Sequence, residues 1–376
     1  MNTSFLNKWH TAIKGFRQSV FVYAYTNLNV GDDLFIHKLV SSYPDTRFVL
    51  MVKRPYREMF SKYRNVTVYE EETFPLSLCK KLRIDDRIRW RISHECDYAV
   101  LIGGSVFKED RKWENQHLWY RDLFDHDKLY FLGCSWGPCR TKGFEEDMAA
   151  VFSGVKDVCF RDRGSYDTFA RLPNVRYAPD ILFGLDWSPY VSIQEEKQVL
   201  MSVINCRSES AELAEYASAY NGFIGQLATH FTGLGYHVVL CSFCEGQGDL
   251  AAAEEIRSGL SAQVQRNTSI ANYCGTNPEQ ILQLIAASEY VVATRFHAMI
   301  LGMVAGKKVL PVIYHVKLRN VLADLSFRGA YCDIQQLPQD PSEIIAGITR
   351  GSSDDDRKRL AELAAGHFDK LDQVLK

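Results

Sequence analysis

The stretch SEYVVATRFHAMILGMVAGKKVLPV, residues 288–312, reads as a strand, a helix and a second strand in 25 residues. An apolar β-rich run ends at Thr294-Arg295-Phe296-His297. A small-residue run of helical character, HAMILGMVAG, follows, and KVLPV opens another apolar strand. Apolar strands that lack polar alternation and are joined through helices belong to parallel sheets covered on both faces.

The same rhythm extends through the chain. In the first half, apolar runs appear at SVFVYAYT (19–26), RFVLMV (47–52), DYAVLIGG (97–104), KLYFLGCSWG (128–137) and DVCFRDR (157–163). The second half has QVLMSVIN (198–205), HVVLCSF (237–243), YVVATRF (290–296) and KVLPVIY (308–314). Helix-period segments lie between them, including DDLFIHKLVSSY (32–43), AELAEYASAYNGFIGQLATHF (211–231) and NPEQILQLIAAS (277–288), the last with an Asn-Pro start signal. The stretch 177–198 interrupts this pattern with Pro179, Pro189 and a polar run, so it reads as a linker. The expected organisation is an α/β domain over 1–185, a second over 198–350, and an amphipathic C-terminal helix over 351–376. A chain of 376 residues is long enough for two such cores.

Bulk composition excludes several classes. A formal net charge of -2 gives no electrostatic footprint for nucleic acid. The opening MNTSFLNKWHTAIKGF is too polar for a secretory signal, and no apolar run approaches the length of a membrane span, so a cytoplasmic protein is expected. The ten cysteines are dispersed. Cys134 with Cys139, and Cys241 with Cys244, lack a second ligand pair at zinc spacing and read as core or loop thiols, with no metal expected.

Open parallel sheets bind ligands where strands end and helices begin. Five strand ends carry unusual residues. After the first run come Asn29, Gly31 and Asp32, with Gly31 allowing close backbone approach and Asp32 able to cap a helix. Gly103 and Gly104 end the third, without the spacing of a nicotinamide-cofactor fingerprint. The fourth exits irregularly through Gly133, Gly137 and Pro138. The fifth carries Arg161-Asp162-Arg163 and Ser165, an Arg-Asp arrangement more common in ion pairs than in ligand clamps.

The sharpest strand end is Arg295 with His297. Burying a guanidinium without an anion is costly, and a helix N-terminus offers N–H groups and a positive dipole end. The planar guanidinium suits phosphate or carboxylate, and a histidine beside a bound phosphate can serve as a general acid. Arg207, after the run QVLMSVINC, could supply a second cation.

The ordered set Asn29-x-Gly31-Asp32, DYAVLIGG, GCSWGP, RDRGS, APDILF and TRFHAMI…G resembles the polysaccharide pyruvyl transferase family. Ser105 stands where the family's glycine stretch often has a third glycine. The resemblance implies a GT-B-like fold, two Rossmann-like domains facing a cleft. It also implies a reaction in which phosphoenolpyruvate gives its pyruvyl group to a glycan as a cyclic ketal and releases phosphate. Arg295 and His297 match the family's R-x-H motif facing the donor, and Arg161, Asp162 and Ser165 match its R-D-x-x-S motif. The N-terminal domain, with Asn29, Gly31, Asp32, Gly103 and Gly104, is then expected to face the acceptor.

A donor bearing phosphate and carboxylate needs several cations, and Arg295, Arg161 and Arg207 are those at strand ends. His297 is the expected acid and Asp32 the expected base on an acceptor hydroxyl, with no metal or other cofactor required. An acceptor carried on a lipid would bring the enzyme to the inner face of the membrane. The acceptor sugar and the oligomeric state are left open. Two alternatives share this architecture: a nucleotide-sugar glycosyltransferase, and a non-enzymatic protein that binds phosphorylated metabolites.

Overall fold

The computed structural model describes residues 15–73, 76–81, 85–109, 120 and 124–376. The chain divides into two compact units. The first holds the described residues up to Thr26, Leu34–Ile181 and Ala365–Lys376; the second holds Asn27–Asp33 and Leu182–Ala364.

The first unit is built on seven strands: β1 (Gln18–Ala24), β2 (Thr46–Val52), β3 (Val66–Glu70), β4 (Tyr98–Ile102), β5 (Leu129–Cys134), β6 (Asp157–Phe160) and β7 (Val175–Tyr177). Their order is β3-β2-β1-β4-β5-β6-β7, and every adjacent pair is parallel. The second unit repeats the plan with β8 (Glu196–Val203), β9 (His237–Ser242), β10 (Thr268–Asn272), β11 (Ser288–Ala293), β12 (Lys308–Ile313) and β13 (Cys332–Asp333) in the order β10-β9-β8-β11-β12-β13. The short β14 (Thr349–Arg350) lies antiparallel to β12.

Both sheets reverse their winding direction once, between β1 and β4 and between β8 and β11. Doubly wound sheets bind ligands at the carboxyl ends of strands flanking such a reversal. The central strands match the apolar runs because both of their faces are covered: all six residues of β5 are buried. The edge strands β3 and β10 are mostly half-buried and more polar, so their sequences show no apolar run.

The stretch between the sheets forms two short 3₁₀ turns, Ile181–Gly184 and Ser188–Tyr190, before β8 begins. The C-terminal segment differs from the single helix expected over 351–376. Helix Asp354–Ala365 stops at a 3₁₀ turn, Gly366–Phe368, and a second helix runs Asp369–Leu375. The break is held by Arg176, whose guanidinium grips Asp157 in two bonds of 2.7 and 2.8 Å and donates to the carbonyls of Gly366 and His367. His367 is fully buried, with Nε2 2.9 Å from the Pro179 carbonyl.

Burial, with the Arg176 charge adding to it, pushes the His367 imidazole down to about 4 from its ordinary 6.5. The unfolded chain therefore takes up a proton between pH 6.5 and 4 that the folded chain refuses. This contribution to stability is intact above pH 6.5 and is lost as pH falls towards 4, by on the order of 3 kcal/mol. Thermal unfolding followed across this range should show His367→Gln flattening the acid decline of Tm. Parallel declines in both proteins would contradict the assignment.

Candidate functional site

Three helix starts bear on the site, those of α1 (Val30–Ser42), α2 (Arg163–Phe169) and α3 (Phe296–Val304), and Thr294-Arg295 leads from β11 into the last. Ser202 of β8 pins the turn, its Oγ accepting the backbone N–H groups of Thr294 and Arg295 at 3.1 Å each. Tyr220 braces it further, its hydroxyl 2.9 Å from Thr294 Oγ1. Arg295 occupies the N-cap, and its side chain is therefore free of the capping role that a Ser or Asp would take there.

The guanidinium is buried, and the protein itself supplies the counter-anion. Nε and Nη2 of Arg295 donate to Asp249 at 2.9 and 2.5 Å, a bidentate pair, and Nη1 donates to Glu209 at 3.1 Å. Asp249 has no solvent exposure, whereas the Glu209 side chain keeps 19%. Asp249 is further fixed by the Cys244 N–H, which donates to its Oδ2 at 3.0 Å. Gly248, at φ +85, turns the chain into the helix that begins with Asp249, and a Cβ there would meet the Asn205 side chain at 3.1 Å. Burial pushes the Asp249 carboxyl up while Arg295 pulls it down. The carboxylates hold the guanidinium well above its ordinary range against the opposing effect of burial. Tyr314, at the end of β12, completes the group; its hydroxyl is pushed up to about 12, chiefly by burial. The bidentate face expected to meet a ligand anion is thus occupied by Asp249.

His297 lies one residue into α3 and is buried. Its ring sits directly over Gly31: a Cβ built on Gly31 would lie 1.7 Å from His297 Nδ1. The segment Asn27–Asp33 belongs to this second unit and is fastened there at several points. The Val30 N–H donates to the Phe243 carbonyl at 3.1 Å, and the Tyr273 hydroxyl donates to Asp33 Oδ2 at 2.9 Å. Asn29, not Asp32, stands before the first residue of α1, its Oδ1 accepting the Gly31 N–H at 3.1 Å. Asp32 is buried in the first turn of α1, where a carboxylate is favoured by the helix dipole. Asn29, Gly31, Asp32, Arg295 and His297 are therefore drawn together in one unit, although some 260 residues of sequence separate the two motifs.

Arg207 takes a different place. It is paired with Glu255 at 3.0 Å, and both side chains are about half exposed. Such a solvated pair contributes little to stability.

In the first unit, Arg161 leaves β6 as Arg295 leaves β11. Its Nη1 donates to buried Asp180 at 3.0 Å and its Nε to Ser135 Oγ at 2.9 Å. Gly104 lets the guanidinium approach, since a Cβ there would lie 2.6 Å from Nη2; Gly103 precedes it at the end of β4. Asp162 caps α2 and accepts from both the N–H and the hydroxyl of Ser165, at 2.8 and 2.9 Å. The Ser165 hydroxyl also accepts the Trp136 N–H at 2.7 Å. Ser165 is a buried link between the Asp162 cap and the loop that carries Trp136, a role that the R-D-x-x-S pattern does not by itself reveal. Arg163 instead covers the Tyr177 ring at 4.7 Å.

Asp249, Glu209 and Tyr314 are the residues that sequence reading missed, and Asp180, although it lies in the APDILF stretch, was given no role. Asp249 carried one signal, a Gly-Asp pair opening a helix six residues beyond the apolar run HVVLCSF. Among the described residues no cluster of His, Cys, Asp and Glu suits a metal ion, and the Cys244 thiol is pushed up to about 11 by burial.

The sequence profile described as polysaccharide pyruvyl transferase matches residues 29–316. The chain belongs to that family. No curated protein sequence matches it. Among solved structures, it is similar to Anabaena HepE in complex with UDP-glucose at a TM-score of 0.53 and 12% identity, over 95% of this chain and 97% of that one. The UDP-N-acetylglucosamine 2-epimerase of Rickettsia bellii aligns at a TM-score of 0.54 and 8% identity, over 95% and 96%. At such identities the likeness is one of fold: two parallel-sheet α/β domains of the GT-B-like class. No helix among the described residues is long and apolar enough to cross a membrane.

The contact between His297 and Gly31 is directly testable. Gly31→Ala should displace the His297 ring, because the nearest obstruction to the new methyl is the imidazole itself. The His297 Cε1–H resonance should shift relative to the parent, while the fold is retained. An unchanged resonance in a folded variant would contradict the contact.

Proposed function

We propose that the protein transfers the pyruvyl group of phosphoenolpyruvate to a sugar of a polysaccharide, or of its lipid-linked precursor, as a cyclic ketal with release of phosphate. The reading rests on family membership, and one observation carries it to particular residues: Arg295 and His297 share a helix N-terminus at the reversal point of the second sheet.

In the proposed reaction, His297 protonates the methylene carbon of the enol, and positive charge develops at the adjacent carbon. One acceptor hydroxyl adds there. A second hydroxyl then displaces phosphate from the same carbon, closing the ketal; one hydroxyl proton replaces that given by His297 and the other leaves with phosphate. Asp32, in the segment that packs by His297, is the proposed base that takes the hydroxyl proton and passes it on to restore His297. Asn29 and Gly31 shape that side, and Gly103 and Gly104 are proposed to line the acceptor path. Arg295 holds positive charge beside the donor and offers its Nη1 edge, since its other edge is committed to Asp249. Arg161 and Arg207 are proposed as further cations for the donor. Ser165 acts on the donor only through the loop it fixes. Preorganised charge of this kind can stabilise a leaving phosphate without reorganising during the reaction.

Nucleotide-sugar transfer is the competing reading, and UDP-glucose, present in the HepE complex, is its natural probe. The test is phosphate release from phosphoenolpyruvate across a panel of glycan acceptors, with UDP-glucose as the counter-donor. Acceptor-dependent phosphate release is expected. His297→Ala should retain donor binding and lose about a hundredfold to ten-thousandfold in turnover. Acceptor-dependent UDP release with no use of phosphoenolpyruvate would overturn the reading, and donor binding without turnover over the whole panel would make the protein a binder.

A further inference from the structure

We infer that Glu209 is an internal anion that an incoming donor must displace from Arg295, and that it thereby sets donor affinity. The inference rests on the proposed donor site but concerns a residue to which that reading gives no role.

The two carboxylates on Arg295 are unlike. Asp249 makes two bonds to the guanidinium, takes a third from the Cys244 N–H, and is wholly buried. Glu209 makes a single bond at 3.1 Å from the end of a four-residue helix, Cys206–Glu209, and remains partly exposed. Asp249 fixes the position of the guanidinium. Glu209 occupies the remaining Nη1 edge, where a phosphate or carboxylate of a donor would bind.

The charges make the same point. One guanidinium faces two carboxylates, so the cluster as it stands carries net negative charge and repels an anion. Replacing Glu209 by the donor removes that repulsion without uncovering Arg295, and the released carboxylate can return to solvent by rotating its own side chain. The arrangement keeps the buried guanidinium satisfied when no donor is bound, which an unpaired cation would not be. It also discriminates, because only a ligand that supplies an anion in place of Glu209 recovers the lost bond.

The experiment is calorimetric titration of the parent, Glu209→Gln and Glu209→Ala at fixed ionic strength, with inorganic phosphate and with phosphoenolpyruvate. Glu209→Gln keeps the acceptor oxygen and removes the charge. It should bind both ligands about tenfold or more tightly than the parent, as expected when a competing like charge at an anion site is removed. Glu209→Ala tests the same point if the glutamine variant fails to fold. Unchanged or weaker binding of both ligands would overturn the inference even where the parent binds phosphoenolpyruvate. Tighter phosphate binding with no phosphoenolpyruvate binding in any protein would uphold Glu209 and remove the donor reading instead.

Discussion

The organisation of the second unit depends on the buried pair between Arg295 and Asp249. A guanidinium this far from water is tolerable only with a counter-charge and hydrogen-bond acceptors in good geometry. Asp249 provides both, and to reach Arg295 it needs the left-handed turn at Gly248 and the backbone anchor at Cys244. Arg295 in turn cannot move without dragging the start of α3, where His297 lies. The ends of β8, β11 and β12 and the helix start that follows β9 thus contribute Ser202, Arg295, Tyr314 and Asp249 to one connected group.

The first unit contains a parallel arrangement. Arg161 also follows a strand, is also buried, and also finds an aspartate, Asp180. A glycine clears space in each case: Gly104 beside Arg161, and Gly31 beside His297. Similar physics has been applied twice, because two sheets of the same winding present the same opening at their carboxyl ends. Only in the second unit does a histidine stand at the same helix start.

The fold was legible because both sheets bury their central strands on two faces, leaving apolar runs that local sequence displays directly. The edges were not legible: β3 and β10 are half-buried, and β13 and β14 are two residues each. The break in the C-terminal helix was hidden as well, since it depends on Arg176 and on the burial of His367 far away in sequence. For the site, strand-end arginines and the Gly31 motif could be found by position. Their partners could not, because nothing in the sequence near Arg295 indicates that Asp249 will meet it. This is why the guanidinium read as a site open on its bidentate face, when that face is closed by the protein's own carboxylate.

The central claim is that the Arg295–His297 helix start and the Asn27–Asp33 segment packed on it form a site for a small anionic donor. Hydrogen–deuterium exchange with and without phosphoenolpyruvate tests this most directly, because it reports backbone protection without assuming an acceptor. Protection should appear in peptides covering 27–33 and 294–300, and UDP-glucose should not reproduce it. Protection confined to other segments, or the same pattern with UDP-glucose and none with phosphoenolpyruvate, would contradict the account.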